Sequence, residues 1–127
     1  LGGPPTPGVG FAIGSDRTLL ACEAEGVFQT SELVTEVFVV DTTGGLAALS
    51  LTDQLRSAGF KTDRAWDNRS MKAQMKAADK SGALVAVIVG EEELATDTVT
   101  LRDLRESTEQ SEIKKEIIIE TLRKRLR

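Results

Sequence analysis

Two thirds of the way along this 127-residue chain, seven consecutive apolar residues, 83–89, lie between two glycines. The run is rich in β-branched residues and has no polar position, as expected of a strand covered on both faces. Strands of this kind occur in parallel sheets with helices packed on each side. The run is far too short to cross a bilayer, which takes about 18 residues or more. It therefore predicts the buried central strand of an α/β domain.

The rest of residues 36–127 reads as alternating strands and helices. Apolar positions recur at spacings of three and four in the helical stretches, and Gly59 and Gly82 follow two of them. The predicted strands are residues 37–40, 60–63, 84–89, 98–102 and 109–113, and the predicted helices carry residues 48–58, 69–80 and 118–126, with a turn at 90–93. This order predicts an α/β domain with a mixed β-sheet flanked by helices.

Several kinds of active site are excluded by composition. Histidine is absent and Cys22 is the only cysteine, which rules out a Ser-His-Asp or Cys-His nucleophile, an internal disulfide and a His/Cys zinc site. One unpaired cysteine and no leader of the basic-then-apolar type suit a reducing compartment. We expect a soluble, cytoplasmic protein with no membrane partner. Since the first residue is not methionine, we also expect a piece of a longer polypeptide.

Positive charge is concentrated in one region of a chain whose net charge is −4. Residues 56–80 contain seven Lys and Arg but only three Asp, and no Glu. Four of these cations, Arg69, Lys72, Lys76 and Lys80, recur at helical spacing. Such a face is either simply solvated or binds an anion such as nucleic acid.

Residues 1–35 follow another pattern. The first seven residues hold two glycines and three prolines, and residues 8–14 then alternate small and large apolar side chains. As a strand of period two, this segment would present one face of bare backbone, where a flat ligand or another backbone lies close. A dinucleotide fingerprint would need a strand where the prolines stand. A tightly packed edge strand and a nucleotide floor remain as interpretations.

The same residues, Leu-Gly-Gly-Pro-Pro-Thr-Pro-Gly-Val-Gly-Phe-Ala-Ile-Gly-Ser-Asp-Arg, resemble motif 3 of class II aminoacyl-tRNA synthetases in its histidyl form. In that family a glycine strand forms the floor under ATP, and the closing arginine holds the γ-phosphate. The resemblance implies that Gly10, Ala12 and Gly14 line the nucleotide floor in a parent enzyme and that Arg17 binds the ATP phosphate. A guanidinium presents a planar fork to phosphate oxygens, which suits that role. The family more often has Leu-Glu where Ser-Asp precedes the arginine here.

Downstream residues resemble the anticodon-binding domain of histidyl-tRNA synthetases. Five short motifs occur in order and spacing: Met-Lys-Ala-Gln, Ala-Asp-Lys-Ser-Gly-Ala, Val-Gly-Glu-Glu-Glu, Leu-Arg-Asp-Leu and Glu-Gln. Each is weak alone, but together with motif 3 they cover nearly the whole chain. The resemblance implies that residues 1–27 end a class II catalytic domain, 28–35 form a linker and 36–127 form the anticodon-binding domain.

For tRNA contacts, the resemblance implies Arg69, Lys72, Lys76, Glu93 and Arg102. In related domains the basic helix and its preceding loop lie along the anticodon stem, where cations neutralise phosphates without reading sequence. Glu93 and Arg102 match positions that contact anticodon bases in the threonyl, prolyl and histidyl domains. A carboxylate accepts from base amino groups and a guanidinium donates to guanine, so this pair suits base reading. Surface charge is the other interpretation of the glutamates.

Trp66 and Asn68 lie in the loop before the basic helix. For Trp66 we expect a core anchor rather than a platform on which a base stacks.

These observations identify the chain as a C-terminal piece of a member of the histidyl-tRNA synthetases. The resemblance implies a homodimeric parent that uses ATP and Mg²⁺ to attach histidine to histidine tRNA. Alone, the piece is expected to bind tRNA weakly, to bind no DNA, to need no cofactor and to catalyse nothing. The alternative is a non-catalytic RNA-binding module of a synthetase-like regulatory protein, against which motif 3 with Arg17 argues. A stand-alone nucleotide-binding enzyme lacks an upstream strand and a general base.

Overall fold

The computed structural model describes residues 2–28, 34–66, 69–105 and 110–127. The chain divides into two units, Leu1–Glu32 and Leu33–Arg127. In the first unit, helix α1 spans Ser15–Ala24, and the other described residues form neither helix nor strand. The predicted strand over residues 8–14 is therefore wrong. A strand needs a hydrogen-bonded neighbour, and none of the described residues pairs with this segment.

The second unit is a five-stranded sheet with helices on both faces. Its elements are β1 (Val37–Asp41), α2 (Leu46–Ser57), β2 (Thr62–Arg64), α3 (Met71–Ser81), β3 (Val85–Val89), α4 (Glu91–Thr96), β4 (Thr98–Asp103), β5 (Gln110–Lys114) and α5 (Ile118–Leu126), the last entered through a 3-10 turn. This order confirms the predicted mixed α/β fold. The one addition is α4, where a turn was predicted, and its first turn carries three glutamates, which the helix dipole favours.

Strand order in the sheet is β2-β1-β3-β4-β5. β1 pairs in parallel with β2 and β3, whereas β4 runs antiparallel to both β3 and β5. The edges are therefore β2 and β5. The chain leaves β1 toward β2 on one side and returns to β3 on the other, so the carboxyl ends of β1 and β3 meet at a topological switch point. Open α/β sheets bind their ligands at such points.

Two clusters of buried side chains fill the two faces of the sheet. The first joins the sheet to α2 and α5 through residues such as Leu51, Leu55 and Leu122, and the second joins it to α3 through Phe38 and Ala78. All five residues of β3 are buried, which confirms the predicted central strand. The left-handed Gly82, with φ of 74°, ends α3 as predicted. Within the described part of the chain, no helix is long and apolar enough to cross a membrane.

Candidate nucleic-acid interface

Asp41, the last residue of β1, organises the carboxyl edge of the sheet. Its Oδ1 accepts hydrogen bonds from the N–H and hydroxyl of Thr43, both at 2.6 Å, and its Oδ2 accepts from the N–H of Ala48 at 2.8 Å. Burial alone would raise the pKa of Asp41, but these bonds and one from the backbone of Gly45 outweigh it and hold the pKa below 3.8. The carboxylate thus stays ionised and fixes the start of α2.

Gln74 ties α3 to the same strand end. Its Nε2 donates to the carbonyls of Asp41 at 2.6 Å and Arg69 at 2.8 Å, and its Oε1 accepts from the N–H of Asp41 at 3.0 Å. The hydroxyl of Ser70 caps the helix by accepting from the N–H of Ala73 at 3.4 Å. Because the buried Gln74 is satisfied at both ends of its amide, α3 has a fixed start and a fixed rotation about its axis.

That rotation decides where the basic side chains lie. Gln74 and Ala78 face the sheet and are buried, while Lys72, Lys76 and Lys80 are exposed on the outer side of α3. Arg69, just before the N-cap, is exposed as well. The predicted set of cations therefore forms one solvent-facing surface, which is called the basic face below.

Glu93 lies in the short helix α4 and uses both carboxylate oxygens. Oε1 accepts from the hydroxyl of Thr100 at 2.8 Å, and Oε2 accepts from the N–H of Gly90 at 3.0 Å. The bond from Thr100 is the main reason that the pKa of Glu93 lies below 4.5, and the bond from Gly90 adds to it against the effect of burial. A side chain at position 90 would lie 2.9 Å from Oε2, so glycine there leaves room for this contact.

Arg102 lies on the same face of the sheet as Thr100. The two are alternate residues of β4, while Val99 and Leu101 point into the first core cluster on the other face. Alternate residues of a strand are about 7 Å apart, so Thr100 brings the Glu93 carboxylate to the face that carries Arg102. Among the described residues, none hydrogen-bonds or ion-pairs with the Arg102 guanidinium. The Glu93 carboxylate, which has two hydrogen-bond partners, thus reaches the sheet face that carries the Arg102 guanidinium, which has none among the described residues.

This part of the sheet is open. α3 packs on β1, and the β5 residues opposite Thr100 and Arg102, namely Glu112 and Gln110, are exposed. Strands β4 and β5 therefore present a polar face to solvent beside α3. Sequence reasoning missed Thr100, although a threonine two residues before the arginine on a predicted strand marks the same face.

Trp66 is 71% exposed, so the prediction that it anchors the core is wrong. The second core cluster is already filled by residues such as Phe38 and Ala78, and Trp66 lies just beyond the three-residue edge strand β2. The Arg64 guanidinium carbon lies 4.4 Å from the centroid of its ring, within cation–π range. Asn68 of the same loop, and Glu109 of the predicted last strand, lie outside the described residues.

The predicted ATP residues lie in the first unit, and all are exposed. Arg17 stands in the first turn of α1, with its aliphatic carbons 3.9 Å from the point where a Gly14 side chain would begin. A side chain added at Gly10 would meet no atom within 4 Å. That Gly10, Ala12 and Gly14 line a floor for ATP and that Arg17 binds its phosphate, with Mg²⁺, in a longer parent stays a prediction.

Comparison with known proteins gives a consistent result. Residues 36–125 match the family model described as anticodon binding domain. Over 129 residues the chain is 45% identical to the histidine–tRNA ligase of Pelotomaculum thermopropionicum, with 98% of this chain and 30% of that protein covered. It is 44% identical over 106 residues to the histidine–tRNA ligase of Rhodococcus erythropolis, covering 82% and 25%. The chain thus spans less than a third of the length of these relatives.

Solved structures agree with this result. Apo histidyl-tRNA synthetase of S. aureus superposes with a TM-score of 0.65 at 29% identity, covering 85% of this chain and 28% of that one. Histidyl-tRNA synthetase of Nostoc sp. PCC 7120 gives 0.66 at 30%, covering 91% and 28%. The RNA binding domain of threonyl-tRNA synthetase from Cryptosporidium parvum Iowa II, at 16% identity over 70% of this chain and 23% of that one, gives 0.64 and shares the fold.

Proposed function

The chain belongs to the anticodon-binding domain family, and on that premise we propose that it is the tRNA-binding part of a histidine–tRNA ligase. The observation that carries the proposal is that Arg102 and Thr100, the residue bonded to Glu93, lie on the sheet face that α3 covers, while the lysines of the basic face are exposed on the outer side of α3. Cations without base contacts supply affinity for any RNA, whereas groups that reach unstacked bases supply the choice of sequence. Both kinds of residue are found on the α3 side of the sheet here.

On this proposal, Glu93 and Arg102 contact anticodon bases. Each carboxylate oxygen has room for about two hydrogen bonds and Glu93 uses one on each, so both oxygens retain an acceptor site for a base amino group. The lowered pKa of Glu93 keeps it ionised and therefore an acceptor only. The guanidinium of Arg102 can donate two parallel bonds to guanine O6 and N7.

Lys72 and Lys76, with Arg69 before them, contact RNA phosphates on this proposal. They lie on the outer side of a helix whose rotation Gln74 fixes, so their charges stay in a defined array. Phosphate contacts of this kind are salt-dependent and indifferent to base sequence.

A longer parent would supply the chemistry of the ligase. ATP and Mg²⁺, activation of histidine and a homodimer belong to that parent, and in it Gly10, Ala12, Gly14 and Arg17 would contact ATP. The match to a histidine–tRNA ligase covers 98% of this chain and so includes residues before 36, which supports a catalytic-domain origin for them. Val9, Phe11 and Ile13 are exposed, as suits a segment that packs within a larger domain.

Binding to RNA tests the proposal directly. The purified 127-residue chain is titrated, at fixed salt, with the anticodon stem-loop of histidine tRNA and with the same stem-loop carrying an exchanged anticodon. We expect tighter binding to the histidine anticodon, and we expect Arg102→Ala to reduce the preference. Equal binding of both RNAs by the unaltered chain would contradict the proposal.

A further inference from the structure

Trp66 forms a wall shared by two surface pockets. A pocket of about 320 Å³ lies toward α3 and includes Arg64, Arg69 and Lys80 in its lining. A second, of about 280 Å³, lies toward the start of α2 and includes Leu46 and Leu49. The described lining of the first pocket, called the cation-rich pocket below, holds three cations, whereas that of the second holds one, Arg64, together with two leucines.

The indole ring is contacted by a cation and remains largely exposed. The Arg64 guanidinium covers one side at 4.4 Å, yet Trp66 as a whole stays 71% exposed. Leu46 and Leu49, which line the second pocket together with Trp66, are 77% and 51% exposed. A flat aromatic surface held in place by a cation, with apolar side chains next to it, is suited to a planar ligand.

Charge narrows the identity of that ligand. Among the described residues that line the cation-rich pocket, there is one carboxylate, that of Asp63, and its Oδ1 accepts from the N–H of Arg64 at 2.8 Å. Lys80 of the same pocket continues the line of Lys72 and Lys76 along α3. For a domain proposed to bind tRNA, the ligand that combines a planar group with an anion is a nucleotide of single-stranded RNA.

We propose that Trp66 stacks on an unpaired base of the bound RNA, with the phosphate next to that base held by the cation-rich pocket. This inference rests on the proposed function. The stacked base differs from those that reach Arg102, because β2 and β4 lie on opposite sides of β1 and α3 covers β1 between them. A helix with its side chains is about 10 Å across, so one base cannot span both positions. Trp66 therefore adds affinity through a base other than those that contact Glu93 and Arg102.

The chain provides its own reporter, because Trp66 is the only tryptophan and tyrosine is absent. Indole fluorescence is followed during titration with the histidine anticodon stem-loop and, as a control, with a blunt duplex of the stem sequence. We expect the stem-loop to quench the fluorescence at the concentrations at which labelled RNA binds. We expect the duplex, which has no unpaired base, to leave it unchanged.

Variants of Trp66 test the energetic contribution. Trp66→Ala is expected to weaken stem-loop binding about 5- to 150-fold, the range found when a stacking aromatic is removed, while Trp66→Phe keeps most of the affinity. Phe28→Ala removes another exposed aromatic, in the first unit, and is expected to change nothing.

The outcomes separate this inference from the proposed function. Normal stem-loop affinity in Trp66→Ala, or equal quenching by the duplex, overturns stacking and leaves tRNA binding intact. A chain that binds neither RNA overturns the proposed function and the stacking with it.

Discussion

Gln74 continues the hydrogen-bond pattern of β1, because its side-chain amide accepts from the N–H of Asp41 and donates to the carbonyl of that same residue. A helix side chain thus takes the place that a neighbouring strand would occupy. Since α3 carries the basic face, this pair of residues also sets where the cations stand relative to the sheet.

Gln74→Leu is therefore expected to lower the free energy of unfolding by about 3 kcal/mol, because two buried backbone groups of Asp41 lose their partners. Urea unfolding measures the change. Gln54→Leu, at an exposed position of α2, serves as the matched control and should change stability by less than about 0.5 kcal/mol. Similar small effects of both substitutions would show that the amide contacts contribute little.

Stability is expected to fall in acid. The pKa values of Asp41 and Glu93 are both lowered by hydrogen bonds in the folded chain, from ordinary values of 3.8 and 4.5. Each carboxylate therefore stabilises the fold above its unfolded-state pKa, and this contribution is lost as pH falls through the lower, folded-state pKa. Urea unfolding between pH 7 and pH 3 should show a free energy that declines from about pH 4.5 downward.

Asp41→Asn isolates the contribution of this one carboxylate to the acid dependence. The variant should be less stable than the parent chain at pH 7, with a shallower decline in acid. Asp53→Asn, exposed on α2, should keep the full acid dependence. An unaltered pH profile in Asp41→Asn would mean that this carboxylate does not carry the dependence.

Lys72→Ala combined with Lys76→Ala is expected to weaken binding of all RNAs alike and to reduce the slope of log affinity against log salt by about one to two. The salt dependence of stem-loop binding measures this. Lys124→Ala with Arg125→Ala removes two exposed cations of α5, which packs on the other face of the sheet, and should leave the slope unchanged. If both double variants reduce the salt slope equally, the basic face contributes no more to RNA binding than other surface charges do.

If Glu93 and Arg102 read bases, removing either side chain should lower the affinity mainly for the RNA that carries the histidine anticodon. Glu93→Ala and Arg102→Ala should each cost about 1–3 kcal/mol with the histidine anticodon and far less with an exchanged one. Thr100→Val is the control for structure, because it removes a hydrogen bond to Glu93 and keeps the carboxylate. If Thr100→Val lowers the affinity for both RNAs as much as Glu93→Ala does, Glu93 does not read a base, and its role is the structural one of capping α4.

No amino-acid activation is expected from the 127-residue chain, because it spans less than a third of the length of the histidine–tRNA ligases that it matches. The measurement is histidine-dependent exchange of pyrophosphate into ATP, with a full-length histidine–tRNA ligase as the positive control. Exchange by the purified chain that disappears in Arg17→Ala would contradict this expectation.

The sequence alone predicted most of the fold and less of the interface. The run containing Val87 predicted the central strand, because a residue pattern with no polar member has few ways to be buried. The prediction that Trp66 anchors the core was wrong, because the sequence does not show whether other side chains already fill the core beside a large aromatic residue. The tie between Gln74 and Asp41 joins residues 33 positions apart, and only the folded chain shows which buried amide meets which strand end.

The two edges of the sheet differ from its centre in a way that matters for handling the chain. β2 is only three residues long, and β5 exposes Glu112 and Lys114 along its length. A short edge and a charged edge are both poor templates for the strand of another molecule. Copies of this chain are therefore poorly suited to extending the sheet from one molecule to the next, even in a concentrated sample.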